Sequence, residues 1–345
     1  MRRRNEASVT EFGTRPPARW RSWTRRAMPV LQVLASLALL TLLWRAVDGP
    51  ETARILRGVE FGWLAAALAV ISLQLWLSAT RWRLTAAPLG QRFGLGEAVK
   101  EYYLSQLVNQ TLPGGMLGDA QRAVRARHRA GLLRATQAVA FERVAGQIAL
   151  FFIMASALAI TALVKGGTVW PAWLTMLAAL PALVVLALIL IVRFGGCLPG
   201  ATGRALEDLR LAVRASLLAR GLWHLQIVLS LGTAICNILA FTFCAYATGS
   251  TLPIWAIFAL IPCVLFAMLF PLSVSGWGAR EGAAAAILPL VGLAPEAAIA
   301  ASIAFGLVFA ASVLPGIAIL MLPRGDRDHA HAHAHAPPAQ DPLKP

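Results

Sequence analysis

Six stretches of this chain, at 28–44, 61–79, 144–164, 172–192, 221–247 and 297–322, contain no Asp, Glu, Lys or Arg and are built mostly from apolar residues. No other feature limits the fold as much. A bilayer core is crossed by roughly 17–25 helical residues at 1.5 Å rise each. Hydrocarbon offers no water to backbone N–H and C=O groups, so a spanning segment must satisfy them within a helix or a closed barrel. Barrel strands are short and alternate apolar with polar residues, whereas these runs are apolar throughout. The expected fold is therefore an all-α polytopic membrane protein with about six full transmembrane helices. Composition agrees, with 14% charged residues against about 25% in soluble domains.

The formal net charge of +15 raises nucleic acid as a partner, but its placement argues for membrane orientation instead. Twenty-six of the 31 Lys and Arg lie before the first run, in 81–100, 122–143 and 193–220, or beyond 323. One alternating topology places that whole set in the cytoplasm, with both termini inside, as the positive-inside rule requires. Such a face also attracts anionic headgroups, at about 1 kcal/mol per Lys or Arg near the surface. Nucleic-acid binding is not expected.

Residues 1–27 form a basic tail with little to bury, read as disordered and cytoplasmic. They precede the first apolar run as a signal sequence would, but no small-x-small cleavage site follows Trp44, so an uncleaved anchor is expected. The membrane domain extends over 28–322. The tail 323–345 holds His329, His331, His333 and His335 alternating with Ala. It reads either as a metal-binding tract or, as we favour, as disordered low-complexity sequence. Residues 48–60 suit a short interfacial helix outside, and 199–220 an amphipathic helix on the cytoplasmic surface. Cys197, Cys236, Cys244 and Cys263 form no CxxC pair and are read as packing residues. Neither a metal site nor a cofactor is expected.

Two segments depart from ordinary spans. The first is uncharged from Tyr102 to Gly118 yet carries Ser105, Gln106, Asn109, Gln110 and Thr111, and Pro113-Gly114-Gly115 breaks any helix there. Asp119 and Arg122 follow. The second runs from Pro253 to Leu272, through Ser273, Ser275, Gly276 and Gly278, to Arg280 and Glu281, and then a second apolar arm at 282–294 that is short for a span. Each has an apolar arm, a proline, a Gly-rich turn and a charged pair. Pro113 precedes Gly118 by five residues and Pro271 precedes Gly276 by five. Paired interruptions in corresponding halves mark inverted-topology repeats, so two broken or re-entrant hairpins are expected, one entered from each side. The alternative is eight full spans.

Ionisable residues within a membrane are functional candidates, because an unpaired charge there costs several kcal/mol. If Gly118 starts a helix, Asp119 and Arg122 meet on one face, and the freed N–H groups at the turn suit a phosphate. Arg280 and Glu281 repeat the arrangement from the other side. The plainer reading makes Asp119 and Glu281 helix caps and leaves the arginines at the interface. Glu142-Arg143 either completes a polar cluster with the first turn or is an interfacial pair. His224 and Asn237 in the fifth run suit hydrogen bonds between helices. Walker A, HExxH, GxSxG and SxxK motifs do not occur, so no enzyme activity is expected.

The segments Leu112-Pro-Gly-Gly-Met-Leu-Gly-Asp-Ala-Gln-Arg-Ala123, Phe141-Glu-Arg143 and Pro271-Leu-Ser-Val-Ser-Gly-Trp-Gly-Ala-Arg-Glu281, in this order and spacing, resemble the flippase-like membrane domain of lysylphosphatidylglycerol synthases, including its stand-alone relatives. The likeness covers roughly 28–322. It implies a bundle with re-entrant elements that moves lipids between leaflets or assists lipid-linked glycan synthesis. Residues implicated by motif are Pro113, Gly114, Gly118, Asp119, Arg122, Glu142, Arg143, Pro271, Ser273, Gly276, Gly278, Arg280 and Glu281, to which the polar segments add Asn109, Gly115 and Ser275. Full-length synthases carry a soluble aminoacyltransferase domain after the membrane part, where this chain has its Ala/His/Pro tail.

Two functions are compatible with these features. One is a lipid flippase of a bacterial inner membrane, carrying an anionic phospholipid or lipid-linked headgroup. The other is a non-transporting accessory subunit that holds a lipid-modifying or glycosyl-transferring enzyme. A membrane-embedded transferase would need a catalytic constellation that the sequence does not show.

Overall fold

A computed structural model describes residues 18–112, 115–164, 170–194, 200–219, 221–269 and 275–321, and every regular element in them is helical. In chain order these are α1 (Ala18–Ala46), α2 (Gly49–Arg57), α3 (Phe61–Ala86), α4 (Leu95–Thr111), α5 (Leu117–Val164), α6 (Ala172–Phe194), α7 (Gly200–Ser216), α8 (Trp223–Ala247), α9 (Ile254–Phe266), α10 (Ala279–Ile287), α11 (Pro295–Ser312) and α12 (Pro315–Met321). Five segments are long and apolar enough to cross a membrane, and the pair α1/α2, bent by 97°, makes a sixth. The chain is a polytopic all-α membrane protein.

The outer surface fits that class. Leu183, Val184, Leu186, Ile189 and Leu190 on α6 are exposed, as are Phe61, Trp76, Phe152, Ile160 and Leu163 on the neighbouring spans. So much contiguous apolar surface has no place in water; it is the face turned to lipid. Between helices, lipid removes the hydrophobic drive and leaves close packing to hold the bundle. Accordingly the inner faces carry small residues, among them Ala67, Ala79, Ala234, Ala240 and Ala245, all buried.

α3 and α8 form the central antiparallel pair. The Glu60 N–H donates to the Ala247 carbonyl at 2.9 Å at one end, and Gln226 Nε2 donates to Thr85 Oγ1 at 3.1 Å at the other. Trp63 packs on Phe243 and Tyr246 at the first end, and Trp170 on Trp255. An aromatic belt of this kind sits at a membrane interface. The opposite end gathers the start of α4, the end of α6 and α7, with Arg92, Arg193, Arg204 and Arg210.

Each half of the bundle then inserts a hairpin. α4 enters from the basic end and turns back into the first part of α5, which returns as far as Gly131. There φ is +81°, a left-handed conformation that glycine adopts without steric cost, and the rest of α5 crosses the membrane. α9 enters from the aromatic end and returns as α10. At 1.5 Å rise, the nine residues of α10 extend about 13 Å, less than half the bilayer core, so this arm turns back within it. The tips meet: Ser275 Oγ of the second hairpin donates to Gln110 Oε1 of the first. Pro113, Gly114, Pro271 and Ser273, on which the breaks were predicted, lie outside the described residues, as do the tails 1–17 and 322–345 and Cys197.

The two interfacial elements occur where expected. α2 is capped by Asp48, whose Oδ1 accepts from the Glu51 N–H at 3.1 Å, and α7 buries Ala212 and Val213. α1 begins at Ala18, so the helix extends into the basic stretch ahead of the first apolar run. Cys236, Cys244 and Cys263 are buried and free.

Candidate functional site

Where the hairpin tips meet α3, α8 and α11 there is a cavity of about 190 Å³. This is room for several waters. Its polar wall comes from two helices that share one pattern. Gln74, Ser78, Arg81 and Thr85 follow i, i+4, i+7, i+11 along α3, and Gln226, Ser230, Thr233 and Asn237 do so along α8. That spacing puts each set on one helix face, and antiparallel packing lays the two stripes against each other. Arg81 Nη1 donates to Thr233 Oγ1 at 2.9 Å across the seam.

Five charged groups converge here. Arg81 Nη2 bonds Glu142 Oε1 at 2.6 Å, and Arg122 Nη2 reaches Glu142 Oε2 at 3.3 Å. The same Arg122 nitrogen lies 3.0 Å from Asp119 Oδ1, and Arg143 Nη2 lies 2.5 Å from Asp119 Oδ2. Arg122 is fully buried with its guanidinium 4.5 Å from the Trp82 ring centre and 4.6 Å from that of Tyr102. Asn109 organises the turn: its Oδ1 accepts from the Gly118 N–H at 2.8 Å, and its Nδ2 donates to Gln106 at 3.0 Å and Asp119 at 3.4 Å. Gly118 itself packs so closely on the Ser105 carbonyl that no Cβ fits. Three guanidinium groups against two carboxylates leave the cluster one positive charge in excess.

A second buried pair sits behind the other hairpin. Arg280 Nη2 is 2.5 Å from Glu281 Oε1, and Arg280 Nε donates to Ser302 Oγ at 2.9 Å. Glu281 Oε2 accepts the Gly278 N–H at 2.6 Å, so Glu281 both caps α10 and neutralises the arginine. Gly278 holds φ at +89°, which a side chain would strain. Arg280 also lies over Trp277 and Phe305. This cluster is electrically balanced.

The halves correspond in a way the motifs alone did not reveal. Gly146 on α5 leaves space for the Arg81 guanidinium, since a Cβ there would come to 2.8 Å from Nη2. Gly306 on α11 does the same for Arg280. Gly118 to Gly146 and Gly278 to Gly306 are both separations of 28 residues.

Of the residues selected from sequence, Asn109, Gly115, Glu142, Arg143 and Ser275 line the cavity, together with Asn237. Asp119, Arg122, Arg280 and Glu281 do not reach its surface; they stand behind it. Arg280 is 1% exposed. Arg81 was counted with the cytoplasmic cations because it follows the 61–79 run, but α3 continues to Ala86 and carries it inside. Tyr102, Gln74, Thr233 and Gly146 were also missed. The polar stripes on α3 and α8 were the signal that could have found Gln74, Arg81 and Thr233.

An all-α bundle with two opposed hairpins and a buried charged cavity at their tips defines a membrane protein that handles a polar group inside the bilayer. Residues 30–316 match the lysylphosphatidylglycerol synthase TM region, and the chain belongs to that family. No curated protein matches it.

Proposed function

We propose that the protein translocates a lipid between leaflets, binding the phosphate of an anionic phospholipid or lipid-linked headgroup in the cavity. The observation that supports this most is the single excess positive charge of the Arg81–Asp119–Arg122–Glu142–Arg143 cluster, which a phosphodiester monoanion would neutralise. Arg143, with its side chain 36% exposed, and Arg81 face the opening, while Arg122 and the carboxylates hold them in place. A buried uncompensated charge is costly, so the empty cluster favours an anion over water.

In this reading the headgroup occupies the cavity and the acyl chains stay in lipid. The hairpins, entering from opposite sides and touching at Ser275 and Gln110, form the two gates. Opening one while the other closes moves the headgroup across, as in other inverted-repeat transporters. The basic end faces the cytoplasm of a bacterial inner membrane, with both termini inside.

The test is lipid translocation in proteoliposomes, offering headgroup-labelled phospholipids and a polyprenyl-linked sugar. Translocation above that of empty vesicles is expected for at least one anionic lipid. No acceleration with any lipid, together with a lipid-modifying enzyme co-purifying in stoichiometric amount, would replace this reading with that of an accessory subunit.

A further inference from the structure

Resting on that reading, we infer that the cavity selects an anionic lipid whose headgroup carries hydroxyl groups, a polyol or a sugar, and rejects headgroups carrying an ammonium. The observation is the chemistry of the wall. Six carboxamides line it: Gln74, Gln106, Asn109, Gln110, Gln147 and Asn237. Each carboxamide offers an acceptor and two donors, the complement of a hydroxyl, which both donates and accepts. Some of this capacity is unspent. Gln74, only 7% exposed, has no partner for Oε1, and neither Gln147 Oε1 nor Arg81 Nε has one.

An ammonium needs a carboxylate or a free aromatic face, and the cavity offers neither. Glu142 is the one carboxylate on the wall among the described residues. Both of its oxygens are bonded to arginines, and Oε1 also accepts from Tyr102 Oη at 3.4 Å. Asp119 lies behind the wall, held by Arg122 and Arg143. Of the aromatic rings, Phe305 already carries the Arg280 guanidinium at 5.3 Å and stacks on Phe309. Tyr102 carries Arg122. The excess positive charge adds repulsion for any cation placed there. A phosphate set against Arg81 and Arg143 therefore leaves its alcohol substituent among amides.

Equilibrium binding to the purified full chain in a polyoxyethylene detergent tests this, using dihexanoyl lipids by calorimetry. Phosphatidylglycerol and phosphatidylserine carry the same net charge and differ in diol against ammonium, so that comparison isolates the headgroup. Phosphatidylglycerol is expected to bind at least about tenfold more tightly than phosphatidylserine, phosphatidylethanolamine or phosphatidylcholine, the scale on which a site built for hydroxyls rejects the wrong group. Gln74→Glu and Asn237→Asp each supply a carboxylate of nearly unchanged shape, and either should narrow or reverse the preference for phosphatidylglycerol over phosphatidylethanolamine. Equal binding of phosphatidylserine and phosphatidylglycerol overturns the inference and leaves lipid binding intact. If no dihexanoyl lipid binds, the proposed function fails with it. Glycerophosphoglycerol, the deacylated headgroup, separates the sources: binding as tight as that of the lipid would keep the hydroxyl selectivity and discard a lipid as the ligand.

Discussion

Glu142→Gln removes one formal charge from the centre of the site while keeping the shape of the side chain. Glu142 is fully buried and bonds Arg81 at 2.6 Å, Arg122 at 3.3 Å and Tyr102 at 3.4 Å. In the variant one oxygen becomes an NH2 group, which must point a donor at Arg81 or Arg122. The cluster then carries three guanidinium groups against the single carboxylate of Asp119. Breaking a buried ion pair on one side costs about 3–5 kcal/mol, and the retained amide oxygen places this case near the lower figure. At about 2 °C per kcal/mol for a chain of this size, the thermal midpoint of the detergent-purified protein should fall by about 6 °C. Adding Arg81→Met should not lower it by the sum of the two single effects, because groups in one network couple by about 0.5–3 kcal/mol. A midpoint within 1 °C of the wild type for Glu142→Gln would refute the claim that these charges hold one another in place.

Arg280→Ala should lower the yield of folded protein, because it leaves Glu281 ionised with 0% exposure; Arg280→Met combined with Glu281→Gln should recover part of it, read by size-exclusion chromatography and melting. Gly306→Ala should destabilise by about 1–3 kcal/mol through overpacking, since its Cβ would strike Arg280 and come to 3.0 Å from the Trp277 ring. Gly146→Ala should cost less, because Arg81 can withdraw into the cavity, and comparison of the two melting curves checks the difference. In a cysteine-free background, Thr251→Cys near the aromatic end should react with an impermeant maleimide on intact cells, and Arg204→Cys on α7 only after permeabilisation; the reverse pattern would invert the proposed orientation.

The spans were legible because hydrocarbon demands uncharged runs of a narrow length range, and nothing in tertiary packing can relax that demand. The two hairpins were legible for a related reason: Pro113 and Pro271 stand where no helix continues, and glycines follow each. Asp119 and Arg122 were paired correctly from their i, i+3 spacing once Gly118 was taken as a helix start. Arg81 was not found, since a cation just past an apolar run looks the same whether it lies in a loop or on another turn of helix. What placed it inside was its partner Glu142, 61 residues away, together with the space left by Gly146. Arg280 was identified as unusual, but its pairing with Glu281 and Ser302 puts it behind the wall and not on it. The role first assigned to it, direct neutralisation of a headgroup phosphate, fits Arg81 and Arg143 better, because they line the cavity.

The charge of the cavity wall is the heart of this account, and Arg143 is where it can be altered with least damage to the fold, since its side chain is the most exposed of the cluster. The decisive measurement is the rate of anionic-lipid translocation in proteoliposomes for Arg143→Gln beside the surface control Arg204→Gln, at equal reconstituted amounts. The account predicts at least a tenfold loss for Arg143→Gln, about 1.4 kcal/mol or more of lost binding, with Arg204→Gln unchanged. Wild-type rates in both variants would contradict it.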